Sequence, residues 1–217
     1  MFIKLMRGVF CCLIVAVLWL LGQEVWQYIQ IKLYFDKHKD HFLTYDNYGQ
    51  IIGLCLQGPI TYSDSRYLNK MTHLQLLNNL QILYIDSDSV PEEHASLIPA
   101  IRNLRLVTIY GRKQKKVICI SEHLFKNILQ SPRITSISIS NNTIPNRFWD
   151  QISRYPKLES LELVSVGLTD EILYNFNTEN LIYLDVSKNF ISDDMVHSLA
   201  KSKKLETFII NETLIEK

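Results

Sequence analysis

An apolar triplet with the spacing LxxLxL recurs seven times along the chain, and no other feature restricts the possible folds as tightly. The copies begin at Ile51 (IIGLCL), Leu80 (LQILYI), Leu104 (LRLVTI), Ile134 (ITSISI), Leu158 (LESLEL), Leu181 (LIYLDV) and Leu205 (LETFII). Successive starts are separated by 29, 24, 30, 24, 23 and 24 residues. That period is longer than a heptad and shorter than the helical repeats of roughly 33 to 47 residues. The pattern alternates apolar with polar in its second half, as a short strand with one buried face requires. A single strand of this kind has no core of its own. Parallel stacking turns the fourth and sixth positions, Leu161 with Leu163 or Leu184 with Val186, into one apolar ladder.

The chain must then return to the start of the next strand. LFKNIL follows CISEH, ILYN follows GLTDE, and MVHSLA follows FISDD. Ser121, Thr169 and Ser192 suit helix caps, and Glu122, Asp170, Glu171, Asp193 and Asp194 lie where a helix amino terminus favours negative charge. A helix is therefore expected to close each repeat. These features resemble the leucine-rich-repeat family, most clearly in LESLELVSVGLTDEIL and LIYLDVSKNFISDDMVHSLA, which approach the pattern LxxLxLxxNxL. The strand-plus-helix form is similar to the ribonuclease-inhibitor or cysteine-containing class. Over residues 48–217 the resemblance implies an α/β leucine-rich-repeat solenoid, with a curved parallel sheet on the concave side and helices on the convex side. The pattern's asparagine is matched at Asn142 and Asn189, while Pro59, Asp88, Arg112, Val166 and Thr213 take its place elsewhere.

Upstream of the repeats, residues 9–22 (VFCCLIVAVLWLLG) carry no charge and follow Lys4 and Arg7. Fourteen helical residues reach only about 21 Å against roughly 30 Å of hydrocarbon. Phe2, Ile3, Leu5 and Met6 lengthen the apolar stretch, and Trp19, Trp26 and Tyr28 suit a membrane interface. The expectation is a hydrophobic signal-anchor or transmembrane helix at 1–22, with membrane contact through residues 2–26. Charge placement then predicts a single-pass protein with a cytoplasmic amino terminus and an extracytoplasmic repeat domain. Secretion after signal cleavage is the alternative. Residues 23–47 read as a helical stalk or cap, with Trp26, Ile29 and Leu33 at helical spacing.

Lysine and arginine number 23 against 22 aspartates and glutamates, so no broad positive field exists to draw nucleic acid. Cys11, Cys12, Cys55 and Cys119 have neither disulfide-framework nor zinc-ligand spacing. His38 and His41, beside Asp36 and Asp40, lack further ligands to complete a metal site. Ser63, Asp64 and His73 form a triad only on paper, since Asp64 suits a helix start. No hydrolase elbow, zinc-protease helix or phosphate-cradling glycine loop occurs in the sequence. No catalytic residue, cofactor or metal is expected. The insertion GRKQKKV places Arg112, Lys113, Lys115 and Lys116 together and reads as a solvated loop. Sequons at Asn141 and Asn211 matter only where a host glycosylates them.

Binding has a clearer basis, because a stacked sheet presents its non-core positions in order. The third positions are Gly53, Ile82, Leu106, Ser136, Ser160, Tyr183 and Thr207. The fifth are Cys55, Tyr84, Thr108, Ser138, Glu162, Asp185 and Ile209. Ile82, Tyr84, Leu106 and nearby Tyr110 form an expected apolar column, with Thr108 beside it, and Glu162, Tyr183 and Asp185 an acidic one. These eight residues are the expected partner-binding site of a membrane-tethered protein-binding module. The alternatives are a scaffold that self-assembles into homo-oligomers through its carboxyl-terminal edge, and a cytosolic substrate-recognition adaptor.

Overall fold

Alternation of buried and half-exposed residues in LVTIY, SISIS and SLELV sets the geometry of the main sheet. In the computed structural model, residues 22–37, 41–48, 50–56, 71, 76–86, 95, 98, 101–111, 118–199 and 201–213 are described. A helix covers 22–37 (α1). The strands are β1 (His41–Tyr45), β2 (Ile51–Leu56), β3 (Ile82–Asp86), β4 (Leu106–Tyr110), β5 (Ile118–Cys119), β6 (Ser136–Ser140), β7 (Asn142–Thr143), β8 (Ser160–Val164), β9 (Tyr183–Asp185) and β10 (Thr207–Ile209). Helices α2 (Glu122–Leu129), α3 (Asn146–Ser153), α4 (Asp170–Tyr174) and α5 (Asp193–Leu199) lie between the later strands.

Eight strands form one sheet in the order β1-β2-β3-β4-β6-β8-β9-β10. From β2 to β10 every pairing is parallel. Inward residues line up across it: Leu83 with Val107, Ile137 with Leu161, and Leu161 with Leu184, which in turn faces Phe208. Leu161, Leu163, Leu184 and Val186 are fully buried. Each such side chain stabilises the fold by roughly 1.5–3 kcal/mol relative to exposure.

The helices complete that core. Helix α2 buries Leu124, Phe125 and Ile128, and α3 buries Phe148, Trp149 and Ile152. Phe125 and Phe148 tilt against each other with ring centres 4.8 Å apart, and Trp149 meets Phe176 at 6.2 Å. Of the three expected caps, only the Ser192 hydroxyl accepts a backbone bond, from Met195 N at 3.4 Å. The acidic residues after the caps act elsewhere: Glu122 pairs with Arg147, and Asp170 Oδ1 accepts from Ser192 N at 3.0 Å.

The architecture corrects the expected leucine-rich-repeat solenoid. The fold is α/β with a mostly parallel eight-stranded sheet, and its regularity breaks in two places. At the amino-terminal end β1 runs antiparallel to β2. The cause is local: Asp46 Oδ1 accepts from Tyr48 N at 2.9 Å and Gln50 N at 2.8 Å, folding the chain into a hairpin. Antiparallel partners need only such a tight turn, whereas parallel ones need a crossover. Strand β1 also replaces helix in the stretch expected to be a helical stalk, because Leu43 alternates inward to face Leu54. The second break is a separate two-stranded sheet of β5 and β7.

The expected hydrophobic helix at 1–22 lies, apart from Gly22, outside the described residues. Among the described residues no helix is long and apolar enough to cross a membrane. The expectation of a single-pass membrane protein is corrected to that extent: no helix among the described residues supplies the transmembrane span on which the topology was built. Physically, α1 carries Glu24, Lys32, Asp36 and Lys37, and its Ile31 and Phe35 are buried in the protein core.

Candidate binding face

The face of the sheet turned away from the core carries two straight rows. One runs Gly53, Ile82, Leu106, Ser136, Ser160, Tyr183, Thr207, and the other Cys55, Tyr84, Thr108, Ser138, Glu162, Asp185, Ile209. Each member is the register partner of the next, because the alternation within each strand fixes which side chains point outward. From Ile82 to Asp185 both rows are half-buried, the level expected of side chains flanked on an open sheet. Gly53 and Cys55 are instead buried. At that end β1 closes over the row: Thr44 pairs with Gly53 so tightly that a Cβ there would collide with Thr44 Oγ1.

The eight expected residues fall into two patches. Ile82, Tyr84, Leu106, Thr108 and Tyr110 stand together on β3 and β4. Glu162, Tyr183 and Asp185 stand together on β8 and β9. Between them β6 contributes only Ser136, Ser138 and Ser140 on this face. Parallel strands lie about 4.8 Å apart, so Leu106 and Glu162 are separated by about 10 Å across the sheet, and Tyr84 and Asp185 by about 19 Å.

In the acidic patch Glu162 and Asp185 are direct register partners. Asp185 Oδ1 accepts from Ser187 N at 2.9 Å, which fixes that carboxylate on the sheet. The ion pairs seen among the described residues, Arg147 with Glu122 and Lys188 with Glu212, involve neither acid. Partial burial pushes the Tyr183 phenol above its ordinary pKa of 10.0, and the charges of Asp185 and then Glu162 push it further. The phenol therefore stays protonated at neutral pH and remains a donor.

Two features of this face were invisible in the sequence. Asp86, fully buried, sits in register beside Tyr110. Alternation places it outward, but no local signal announces its burial. The burial of Cys55 likewise has no local signal in the sequence. No known protein family matches the chain, and no curated protein matches it either. The face is therefore read from its chemistry.

On the helical side, a cavity of about 260 Å³ opens between α3 and α4, lined by Trp149, Asp150, Ser153, Thr169, Glu171 and Ile172 among others. Ser153 Oγ already donates to Asp150 O at 3.0 Å, and the Asn175 amide to Glu171 O at 3.1 Å. Among the described residues no three histidines, cysteines or acids are grouped to hold a metal. Ser63, Asp64, His73 and the basic residues Arg112 to Lys116 lie outside the described residues.

Proposed function

We propose that the chain is a protein-binding module that engages its partner on the open face of the parallel sheet. The observation that carries this reading is the half-buried cluster of Ile82, Tyr84, Leu106 and Tyr110 on two neighbouring strands. Apolar aromatic surface grouped on a rigid sheet lowers the entropy lost on contact and supplies the anchors that dominate protein interfaces. The serine-rich centre beside it, Ser136 and Ser138, offers hydroxyls with little bulk, so a partner can lie close to the backbone.

The test is site-specific photocrosslinking from Thr108 in the full chain, with Tyr84→Ala plus Leu106→Ala as the perturbation. Adduct formation with a defined partner should fall at least about tenfold while a cooperative thermal transition is retained. Unaltered crosslinking would remove the apolar patch from consideration.

A further inference from the structure

Direct opposition of two carboxylates on adjacent strands works against the fold, since like charges facing each other across a ladder are destabilising. Glu162 and Asp185 stand in that relation, and no cation of the described residues pairs with them. The rim before these strands is mixed, with Glu159 and Glu206 exposed beside Lys157 and Lys204, so the negative charge belongs to the face itself. At the other end of the face the corresponding exposed residues before β3 and β4 are Gln81 and Arg105. Asp86 on β3 is fully buried, so the half-exposed surface is polarised, apolar over β3 and β4 and anionic over β8 and β9.

We infer that its occupant is a polypeptide segment bearing an apolar residue for the Ile82, Tyr84 and Leu106 patch and an arginine or lysine for Glu162 and Asp185. This rests on the open-face reading above and specifies its partner. An incoming cation relieves the repulsion between the two carboxylates, and the Tyr183 ring beside them adds an aromatic surface on which a guanidinium can stack. The separation of the patches, about 10 to 19 Å, corresponds to about three to six residues of extended chain. The low serine floor between them admits such a segment without displacing a side chain. The anionic end repels phosphate, so nucleic acid is a poor occupant.

The probe is a phage-displayed library of random peptides about twelve residues long, enough to cross the face when extended, panned on the full chain. Selected peptides are then titrated against the wild type, Glu162→Gln plus Asp185→Asn, and Tyr84→Ala plus Leu106→Ala, each checked by thermal melting. The expected peptides carry a basic residue three to six positions from an apolar one. They should bind the charge variant at least about tenfold more weakly and lose affinity with added salt. Peptides weakened by the apolar variant but indifferent to the charge variant would leave the binding face standing and overturn the partner assignment. Indifference to both variants, or no enrichment at all, would overturn both.

Discussion

The side chain of Asn189 accepts a hydrogen bond at 3.0 Å from the backbone of Val166, 23 residues earlier in the chain. The same Oδ1 accepts from Leu168 N at 3.1 Å, while Nδ2 donates to Leu163 O at 2.6 Å, Val186 O at 2.9 Å and Ser187 O at 3.1 Å. The residue is completely buried, so it substitutes for water at two successive turns. Asn189→Ala orphans several of these groups and should lower unfolding free energy by about 3 kcal/mol. Asn189→Asp should do comparable damage, because a carboxylate cannot donate to the carbonyls. Urea denaturation of the two variants checks both.

A second regularity lies one residue before or within the same turns. Asn141, Ser165, Lys188 and Glu212 have φ of 53°, 55°, 61° and 53°, each at the fifth residue after the start of the outward row. The left-handed conformation costs a non-glycine residue roughly 1–2 kcal/mol. The turn is held because these amides continue the ladder: Asn141 N donates to Val164 O, Ser165 N to Ser187 O and Lys188 N to Asn211 O. Ser165→Gly should therefore raise stability by a few tenths to about 1 kcal/mol, after the added freedom of the unfolded chain is counted, and Ser165→Val should lower it by about 1–2 kcal/mol. Thermal melts of both substitutions test the sign.

The triplets made strand position and outward register legible, because a period of two assigns every side chain to a face once Leu161 and Leu184 are aligned. Strand β1 was not legible: HFLTY sets Phe42 beside Leu43 without clean alternation and was read within a helical stalk, and the Asp46 turn accompanies its antiparallel pairing with β2. The left-handed positions were hidden for a related reason, since serine, lysine and glutamate do not advertise that conformation. Pattern matching also treated Asn142 and Asn189 as equals. Asn142 Nδ2 donates to Ser140 O at 2.7 Å, but its buried Oδ1 makes no hydrogen bond among the described residues. Of the binding face, the two rows were readable from spacing. The serines between the two patches were readable in the same way, whereas the burial of Cys55 and Asp86 depends on neighbours in space.

Gly111 marks a close backbone approach. Its amide donates to Ser140 O at 2.8 Å, and a Cβ at this position would collide with the carbonyl oxygen of Asn141. Backbone cannot rotate aside as a side chain can, so Gly111→Ala should destabilise by about 1–3 kcal/mol. Gly167, at φ 77° with open space around it, should lose only about 1 kcal/mol on the same change. Parallel chemical denaturation of the pair separates collision from conformational strain.

Alkaline pH should act through Tyr45. Burial, then the charge of Asp36 and the neighbouring Tyr28, push its phenol from 10.0 up to about 12. The unfolded chain thus gives up this proton before the folded one does. Stability is fully present below pH 10 and is lost as pH rises from 10 towards 12. Tyr45 should ionise late in an ultraviolet absorbance titration. The hydroxyl is buried without a hydrogen-bond partner, so Tyr45→Phe should preserve stability at neutral pH and flatten the alkaline decline. An undiminished decline in that variant would assign the effect to other groups.

Glu162 should behave oppositely in the free and occupied protein. Facing Asp185 in register with no cation of the described residues between them, it adds repulsion that Glu162→Gln removes. The variant should gain about 0.2–1 kcal/mol at low ionic strength, and the gain should shrink as salt screens the pair. Denaturation midpoints at low and high salt measure it. If Glu162 served only to stabilise the sheet, the substitution would lower the midpoint in both conditions. A carboxylate that weakens its own fold while sitting on an open face is better placed to meet charge arriving from outside than charge supplied from within.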